Sequence, residues 1–452
     1  MKDIVIIGAG LTGLTTGFLL RKQGLNVLIL EKEESVGGAI HSHQTNGYIF
    51  EEGPNTGVVS NPEVAELFEM LGLEIEEANA DAEKRLILKN RKWYPLPCNA
   101  STFMKTPLFS TGDKIKIMFE PFRKKGTDPE ESVASLASRR IGQSFVDYAV
   151  NPFISGIYAG DPERLITKYA LPKLYNLEQN YGSFIGGAYK KSKESKTDRD
   201  LKASKKVFSV KGGLGSLTEA LKMQTGGENI VCGAENIIVN KSQDKYIINY
   251  LVGDTPFSIK ADVVISTVGS YALPRLLPFI TVDNMNALTD MNYAKIVQVA
   301  VCLKENAIDS KYVSFGGLIP QKENRELLGV LFPSFCFSGR APKGCSVLAI
   351  YLGGIRKPEL FDLSDENLKR LVLDELQELF DIQEESIHTT DVFRHKYAIP
   401  QYEKSSGKRF ETIHKIEAEN NGLIIAGNLR DGIGMADRIK QAFTIAEQMK
   451  PE

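Results

Sequence analysis

The run Ile4-Val5-Ile6-Ile7-Gly8-Ala9-Gly10-Leu11-Thr12-Gly13 constrains this chain more than any other stretch. Its four apolar β-branched residues show no polar alternation, as expected of a strand buried on both faces of a parallel sheet. A G-x-G-x-x-G turn follows at once. Leu14 to Lys22 has helical character and stops at Gly24. Asn26 to Leu30 forms a second strand ending on Glu31, 18 residues after the third glycine. The pattern is a β-α-β dinucleotide unit, in which strand, turn, helix and acid all stand where they are needed. Gly8 permits the tight turn, and Gly10 lets backbone N–H groups reach a diphosphate. Gly13 lets helix and strand pack closely. Ala9, Leu11 and Thr12 complete the turn and the helix N-terminus that face the phosphates. Glu31 can accept hydrogen bonds from an adenosine ribose.

The motif alone does not choose between NAD and FAD. Gly37-Gly38 follows the acid, then the strand-like Tyr48-Ile49-Phe50 and Gly53-Pro54-Asn55-Thr56. A second glycine pair after the ribose acid resembles the extended FAD fingerprint of amine-oxidase-like flavoproteins. The far end agrees. Leu423 to Ala426 reads as a buried strand running into Gly427-Asn428, and Ile433-Gly434-Met435 then opens a helix from Ala436 to Met449. Such a unit could bring a second helix N-terminus to the flavin. Gly212-Gly213-Leu214-Gly215 lacks dinucleotide spacing. With no second nucleotide turn, the sequence favours an oxidase, or a dehydrogenase with a non-nicotinamide acceptor.

With 452 residues, the chain should form more than one domain. The net charge of −2 argues against nucleic acid as a partner. The five cysteines form no C-x-x-C pair, which fits a reducing, cytoplasmic setting without zinc or disulfides. His41 and His43 could share a strand face, but no third metal ligand is nearby. No signal peptide or membrane-spanning run is evident.

Lys105 to Gly126 sets Ile115, Ile117, Met118, Phe119 and Phe122 among Lys114, Lys116, Arg123, Lys124 and Lys125. Two readings stay open: an amphipathic segment on an anionic membrane, or a helix packed on its own domain with a solvated basic face. Ser132 to Tyr148 reads as one helix. Lys190 to Lys206 has no apolar periodicity and reads as an exposed or disordered loop. Residues 229–268 and 295–352 carry strand patterns, and Ser364 to Leu379 is a clear amphipathic helix.

The block from Val150 to Ile166, NPFISGIYAGDPERL at its centre, and LPKLYNLEQNYGS at 171–183 closely resemble the oxygen-dependent, FAD-containing porphyrinogen oxidases. GPNT at 53–56, KRLILKN at 84–90, LGVLF at 328–332, YLGG at 351–354, IPQY at 399–402 and AGN at 426–428 extend the match. The resemblance implies an α/β plus α+β fold in three parts. A Rossmann-type FAD-binding domain is built from discontinuous segments 1–78, 205–270 and 391–452. A mixed-sheet substrate domain uses 79–90 and 271–390. A mostly helical, membrane-associated region spans 91–200.

The resemblance further implies oxidation of protoporphyrinogen IX, or of coproporphyrinogen III, by O2 in haem synthesis. It places Arg85 toward a substrate propionate, the Gly156 carbonyl beside the tetrapyrrole, and Leu318, Leu331 and Tyr351 against its rings. Lys32, Ile237 and His395 join the cofactor contacts. Many members have tryptophan where His395 stands, which leaves the role of that histidine open. A peripheral place at the inner face of the cell membrane, a homodimer and contacts with other haem-pathway enzymes are compatible with the resemblance. An FAD amine oxidase remains the other reading of the two flavin motifs.

Overall fold

The computed structural model describes residues 2–450. The nucleotide motif opens a parallel sheet in the order Ile230–Val231, Val27–Leu30, Lys2–Ile7 and Thr255–Ser266. The far edge of Thr255–Ser266 is shared. Its first half pairs antiparallel with Lys245–Val252, which pairs in turn with Ala234–Ser242; its end pairs parallel with Leu423–Ile425. Val27–Leu30 is buried at every position, as a strand covered on both faces must be. Helices Leu11–Lys22, Gly215–Thr225 and Met435–Gln448 share the core on one face, and Ser406–Glu419 packs into the core on the other.

A second, seven-stranded sheet has the order Ile387–Pro400, Tyr293–Leu303, Ser346–Gly353, Leu327–Leu331, Gly316–Leu318, Arg85–Lys89 and Lys92–Pro95. Only Gly316–Leu318 and Arg85–Lys89 pair parallel. Alternation divides the sheet cleanly. Val297, Val299, Val301, Val330, Leu348, Ile350 and Leu352 share a core with Leu368, Val372, Leu376 and Leu379 of helix Asp365–Phe380. The opposite face carries Gln298, Ala300, Ala349, Tyr351, Gly329 and Leu331. Ile387–Pro400 runs unbroken through the division expected at 390/391, hydrogen-bonded to Tyr293–Leu303 along most of its length.

The elements of residues 100–201 are all helices or helical turns, joined by loops such as 123–132 and 159–166. The helix expected from Ser132 to Tyr148 breaks at Gly142. That residue has φ +107°, and a Cβ there would lie 2.2 Å from Asp113 Oδ1. Asp113 instead accepts the Ser144 N–H at 2.8 Å, and this bond with Lys116 beside it holds the carboxyl at about 2 against the cost of burial. In 105–126 only Thr111–Met118 is α-helix, followed by a tight turn at Glu120–Phe122 that contains Pro121. Lys114 is buried, its Nζ donating to the carbonyls of Met104 (2.9 Å) and Thr106 (2.6 Å). Ile115, Met118, Phe119 and Phe122 are 52–84% exposed. No helix among the described residues is long and apolar enough to cross a membrane.

A buried charge network fastens this lobe. Arg140, wholly enclosed, reaches Glu120 at 3.3 Å and Glu178 at 2.9 Å. Glu120 also accepts the Phe184 and Ile185 amides.

The lysine-rich stretch 190–206 is not a free loop. Its first residues finish helix Phe184–Ser192, and Asp198–Leu201 forms a capped turn. Arg199 binds Glu63 and Glu66, Lys202 binds Glu69, and Lys206 binds Glu77. Partners on helix Pro62–Leu71 and on strand Ile75–Glu77 supply the order that apolar periodicity does not.

Candidate functional site

The glycine turn shows why each glycine stands where it does. A Cβ on Gly13 would lie 1.9 Å from the Gly8 carbonyl oxygen, so only glycine lets helix Leu11–Lys22 start this close to the strand. A Cβ on Gly10 would meet nothing within 4 Å, so open space lies over the turn. That helix has no side-chain cap and no acid in its first turn, which leaves its positive end for an anion. Glu31 is buried, its carboxylate accepting the Ala9 N–H at 2.6 Å and the Glu33 N–H at 3.0 Å. Gly37 pairs with Gly10 as an isolated bridge, its N–H donating to the Ala9 carbonyl. The two glycine motifs therefore form one cradle, and the acid is held at its edge. An open, uncapped turn backed by a fixed carboxylate fits the diphosphate and ribose of FAD.

The remaining expected cofactor residues are arranged around this cradle. Thr12 Oγ1 is enclosed without a hydrogen-bond partner. Lys32 is exposed and pairs with Glu33 at 2.8 Å. Ile237 lies in the bulge between Glu235 and Ile238 and packs on the sheet core. A Cβ on Gly427 would sit 2.8 Å from the Thr267 carbonyl, and Thr267 Oγ1 donates to Ile7 and Gly8, so the C-terminal turn abuts the N-terminal one. Gly434 precedes helix Met435–Gln448, and Ile433 packs with Tyr158 and Tyr402. The Asn428 carbonyl accepts the Tyr402 hydroxyl at 2.9 Å.

The turn Gly53–Thr56 meets the second sheet. Gln298, fully buried, accepts the Gly53 N–H at 2.8 Å and donates to the Glu51 carbonyl at 2.6 Å. On the adjacent strand, the Tyr351 hydroxyl accepts from Asn55 at 2.6 Å and donates to the Gly53 carbonyl at 3.1 Å. Burial raises the phenol of Tyr351 and also the carboxyl of Glu51. Glu51 accepts the Ser42 hydroxyl at 2.5 Å and the Leu214 N–H at 2.9 Å. The Gly212–Gly215 stretch is thus the dock for the hairpin of strands His41–Thr45 and Tyr48–Glu52.

The expected substrate positions share one sheet face. Cross-strand pairing runs Ile87–Leu318–Gly329–Tyr351–Gln298 in one row and Arg85–Gly316–Leu331–Ala349–Ala300 in the next. Residues paired across strands, or two apart along them, point the same way. Gly156 lies on helix Asn151–Tyr158, where a Cβ would meet Leu318 Cδ2 at 2.6 Å. Arg85 is exposed, its guanidinium 5.1 Å from the Phe315 ring centroid. His395 pairs with Ile296, two residues from Phe393. Its Nε2 is enclosed without a partner, and burial keeps its ring below the usual imidazole value, with Glu52 opposing and His41 adding to the effect. His43 clusters with Phe50 and Phe393 and is bonded to Glu52, while His41 bonds the Gly38 carbonyl.

The description of flavin-containing amine oxidoreductases matches residues 11–432. The chain belongs to that family. Among relatives of this flavoprotein, protoporphyrinogen oxidase 2 of Arabidopsis thaliana is 30% identical, across 99% of this chain and 93% of its own. Coproporphyrinogen III oxidase of Bacillus subtilis (strain 168) is 26% identical, across 97% and 96%. A crystal structure from Exiguobacterium sp. 255-15, provisionally named a protoporphyrinogen oxidase, superposes with a TM-score of 0.82 at 21% identity, covering 99% and 98%. As in its family, the cofactor of this flavoprotein is FAD.

Sequence reasoning missed Gln298, Glu51 and Thr267. Gln298 carried a signal, being the one polar residue in the apolar run Ile296–Val301. Glu51 and Thr267 carried none, because their partners are distant in sequence.

Proposed function

We propose that this flavoprotein oxidises a porphyrinogen to the porphyrin in haem synthesis, with O2 as acceptor and H2O2 as product. One observation carries the reading. Arg85, Leu318, Leu331 and Tyr351 lie on a single sheet face, and Gln298 and Tyr351 of that face hold the cofactor turn Gly53–Asn55. Substrate and cofactor are therefore positioned by one rigid element.

When bound, FAD would supply the hydride acceptor; three two-electron oxidations, each removing one hydride and releasing one proton to solvent, would account for the six hydrogens that separate porphyrinogen from porphyrin. The protein orients the macrocycle. Leu318 and Leu331 offer apolar contact, and the Tyr351 ring is fixed by its hydroxyl bonds. Arg85 receives a propionate. Gly156 keeps its helix close to Leu318 and turns backbone toward the ring.

Protoporphyrinogen IX, with two propionates, is the favoured substrate, and coproporphyrinogen III, with four, the alternative. Lys89 is drawn to the Pro107 (2.6 Å) and Leu108 (2.9 Å) carbonyls, and Arg91 pairs with Glu378 at 3.4 Å. Lys89 is thereby engaged by the helical lobe, whereas the Arg91 side chain is 81% exposed in a surface pair. Side-by-side stopped-flow reduction of the bound FAD by both substrates tests this, with faster bleaching expected for protoporphyrinogen. Reduction by polyamines and by neither porphyrinogen would refute the function itself.

The protein works in the cytoplasm, against the inner face of the cell membrane. Exposed Ile115, Met118, Phe119 and Phe122 meet the lipid, with Lys124 and Lys125 beside them for anionic headgroups.

A further inference from the structure

We propose that Arg438 is a buried positive charge that favours the reduced form of the cofactor. The inference rests on the reading of Gly427–Met435 as the loop at the flavin end. Arg438 lies in the first turns of helix Met435–Gln448 and is only 7% exposed. It donates to Gln441 Oε1 at 2.9 Å and to the Arg430 carbonyl at 2.8 Å, while its Nε is enclosed without a partner. It makes no ion pair among the described residues. The groups that face it are Asp431, Asp437, Arg430 and Tyr402, and burial lowers its pKa. Both acids are engaged elsewhere: Asp431 with Arg430 (3.2 Å) and Gln441 (2.8 Å), Asp437 with the Gly434 N–H (3.1 Å).

A second guanidinium repeats the pattern. Arg409 is wholly buried and binds the Leu429 and Asp290 carbonyls and Ser406, with no carboxylate. Tyr402 stands between, 5.9 Å from Arg409 by ring centroid, with its hydroxyl bonded to the Asn428 and Gly432 carbonyls. The loop Asn428–Gly434 is thus lined by two buried arginines that make no direct ion pair among the described residues, and by the N-terminal end of a 14-residue helix.

Burying an unpaired charge costs several kcal/mol, so an apolar residue at 438 would be the cheaper choice for stability alone. An opposite charge that appears only in the working state resolves the conflict. On taking up two electrons and one proton, FAD gains one negative charge, and Arg438 stabilises it through the loop. Arg438 is a positioning residue in this sense, since it acts through the backbone between.

Arg438 also steadies Gln441, whose Oε1 accepts the Gly427 N–H, so the test must separate charge from clamp. R438M, R438Q and R438K are purified with FAD, and their midpoint potentials are measured against reference dyes. R438M is expected to disfavour reduction by tenfold or more, about 30 mV for a two-electron couple. R438Q keeps a donor without the charge and should show the same shift even if R438M folds poorly. R438K keeps the charge without the fork and should stay near wild type, and all should retain FAD. Equal potentials in R438Q and wild type would overturn the proposal. So would a fall in R438K as large as in R438Q, or a loss of FAD affinity with the potential unchanged. Wild-type protein that binds no FAD would instead defeat the cofactor reading itself.

Discussion

Replacing Gln298 by leucine tests the joint between the two sheets. The change orphans two buried groups, the Gly53 N–H and the Glu51 carbonyl, now satisfied at 2.8 and 2.6 Å. Each orphan costs about 1–3 kcal/mol, or about 2–6 kcal/mol together. The apolar surface of leucine returns about 1–2 kcal/mol, leaving a net loss of about 0–5 kcal/mol, centred on about 2–3 kcal/mol. That loss should fall on the cofactor turn, because of these two sheet residues only Tyr351 then holds Gly53. The assay is flavin fluorescence on heating, which rises as FAD is released, together with the FAD-to-protein ratio. Gln298→Leu should release FAD at lower temperature. Tyr351→Phe removes the bonds to Asn55 and to the Gly53 carbonyl from the directly opposed residue. The two changes free the same turn, so a double-mutant cycle should show coupling of about 0.5–3 kcal/mol, the double variant losing less than the sum. Additive effects with wild-type FAD retention would refute the view of these strands as a shared clamp.

Gly13→Ala drives a Cβ into the Gly8 carbonyl and should yield protein without the visible flavin spectrum; a yellow variant would contradict the close approach. Arg85→Ala should raise KM roughly ten- to hundredfold for loss of one charge-assisted pair, with FAD content unchanged, and unaltered kinetics would remove Arg85 from the site. Arg140→Ala leaves Glu120 without a cation and Glu178 with Arg139 alone, and should cost about 3–5 kcal/mol. Limited proteolysis should then cut within 91–200 while the flavin spectrum persists, and a resistant lobe would show the network to be dispensable. Phe122→Asp should abolish flotation with anionic liposomes at low salt; undiminished flotation would place the contact elsewhere.

The nucleotide unit was legible because its logic is local: an unbroken apolar strand, glycines at fixed offsets and an acid at the next strand end. The strands of 295–352 were legible from their patterns, but the shared role of Leu318, Leu331 and Tyr351 only through resemblance. Composition offers no way to tell the two faces of their sheet apart until the register is known. The expected helix from Ser132 to Tyr148 overlooked Gly142, whose conformation is dictated by Asp113, 29 residues away. The lysine-rich stretch looked featureless since its order comes from acids on Pro62–Leu71, outside any local window. In 105–126 the charge pattern was plain, but sequence could not say that Lys114 turns inward.

Strand Val207–Val210 lies hydrogen-bonded between Gly57–Val58 and Ile75–Glu77. The chain therefore departs at Ala78 and returns at Val207 along a single seam, where the Ala78 N–H donates to the Val207 carbonyl at 3.0 Å. With both ends pinned together, doubling the length of the intervening excursion would cost only about 0.6 kcal/mol in closure entropy. Evolution can thus lengthen, shorten or resurface the helical lobe almost independently of the nucleotide sheet. The surface of that excursion can be redrawn while the strands that hold the cofactor turn stay as they are.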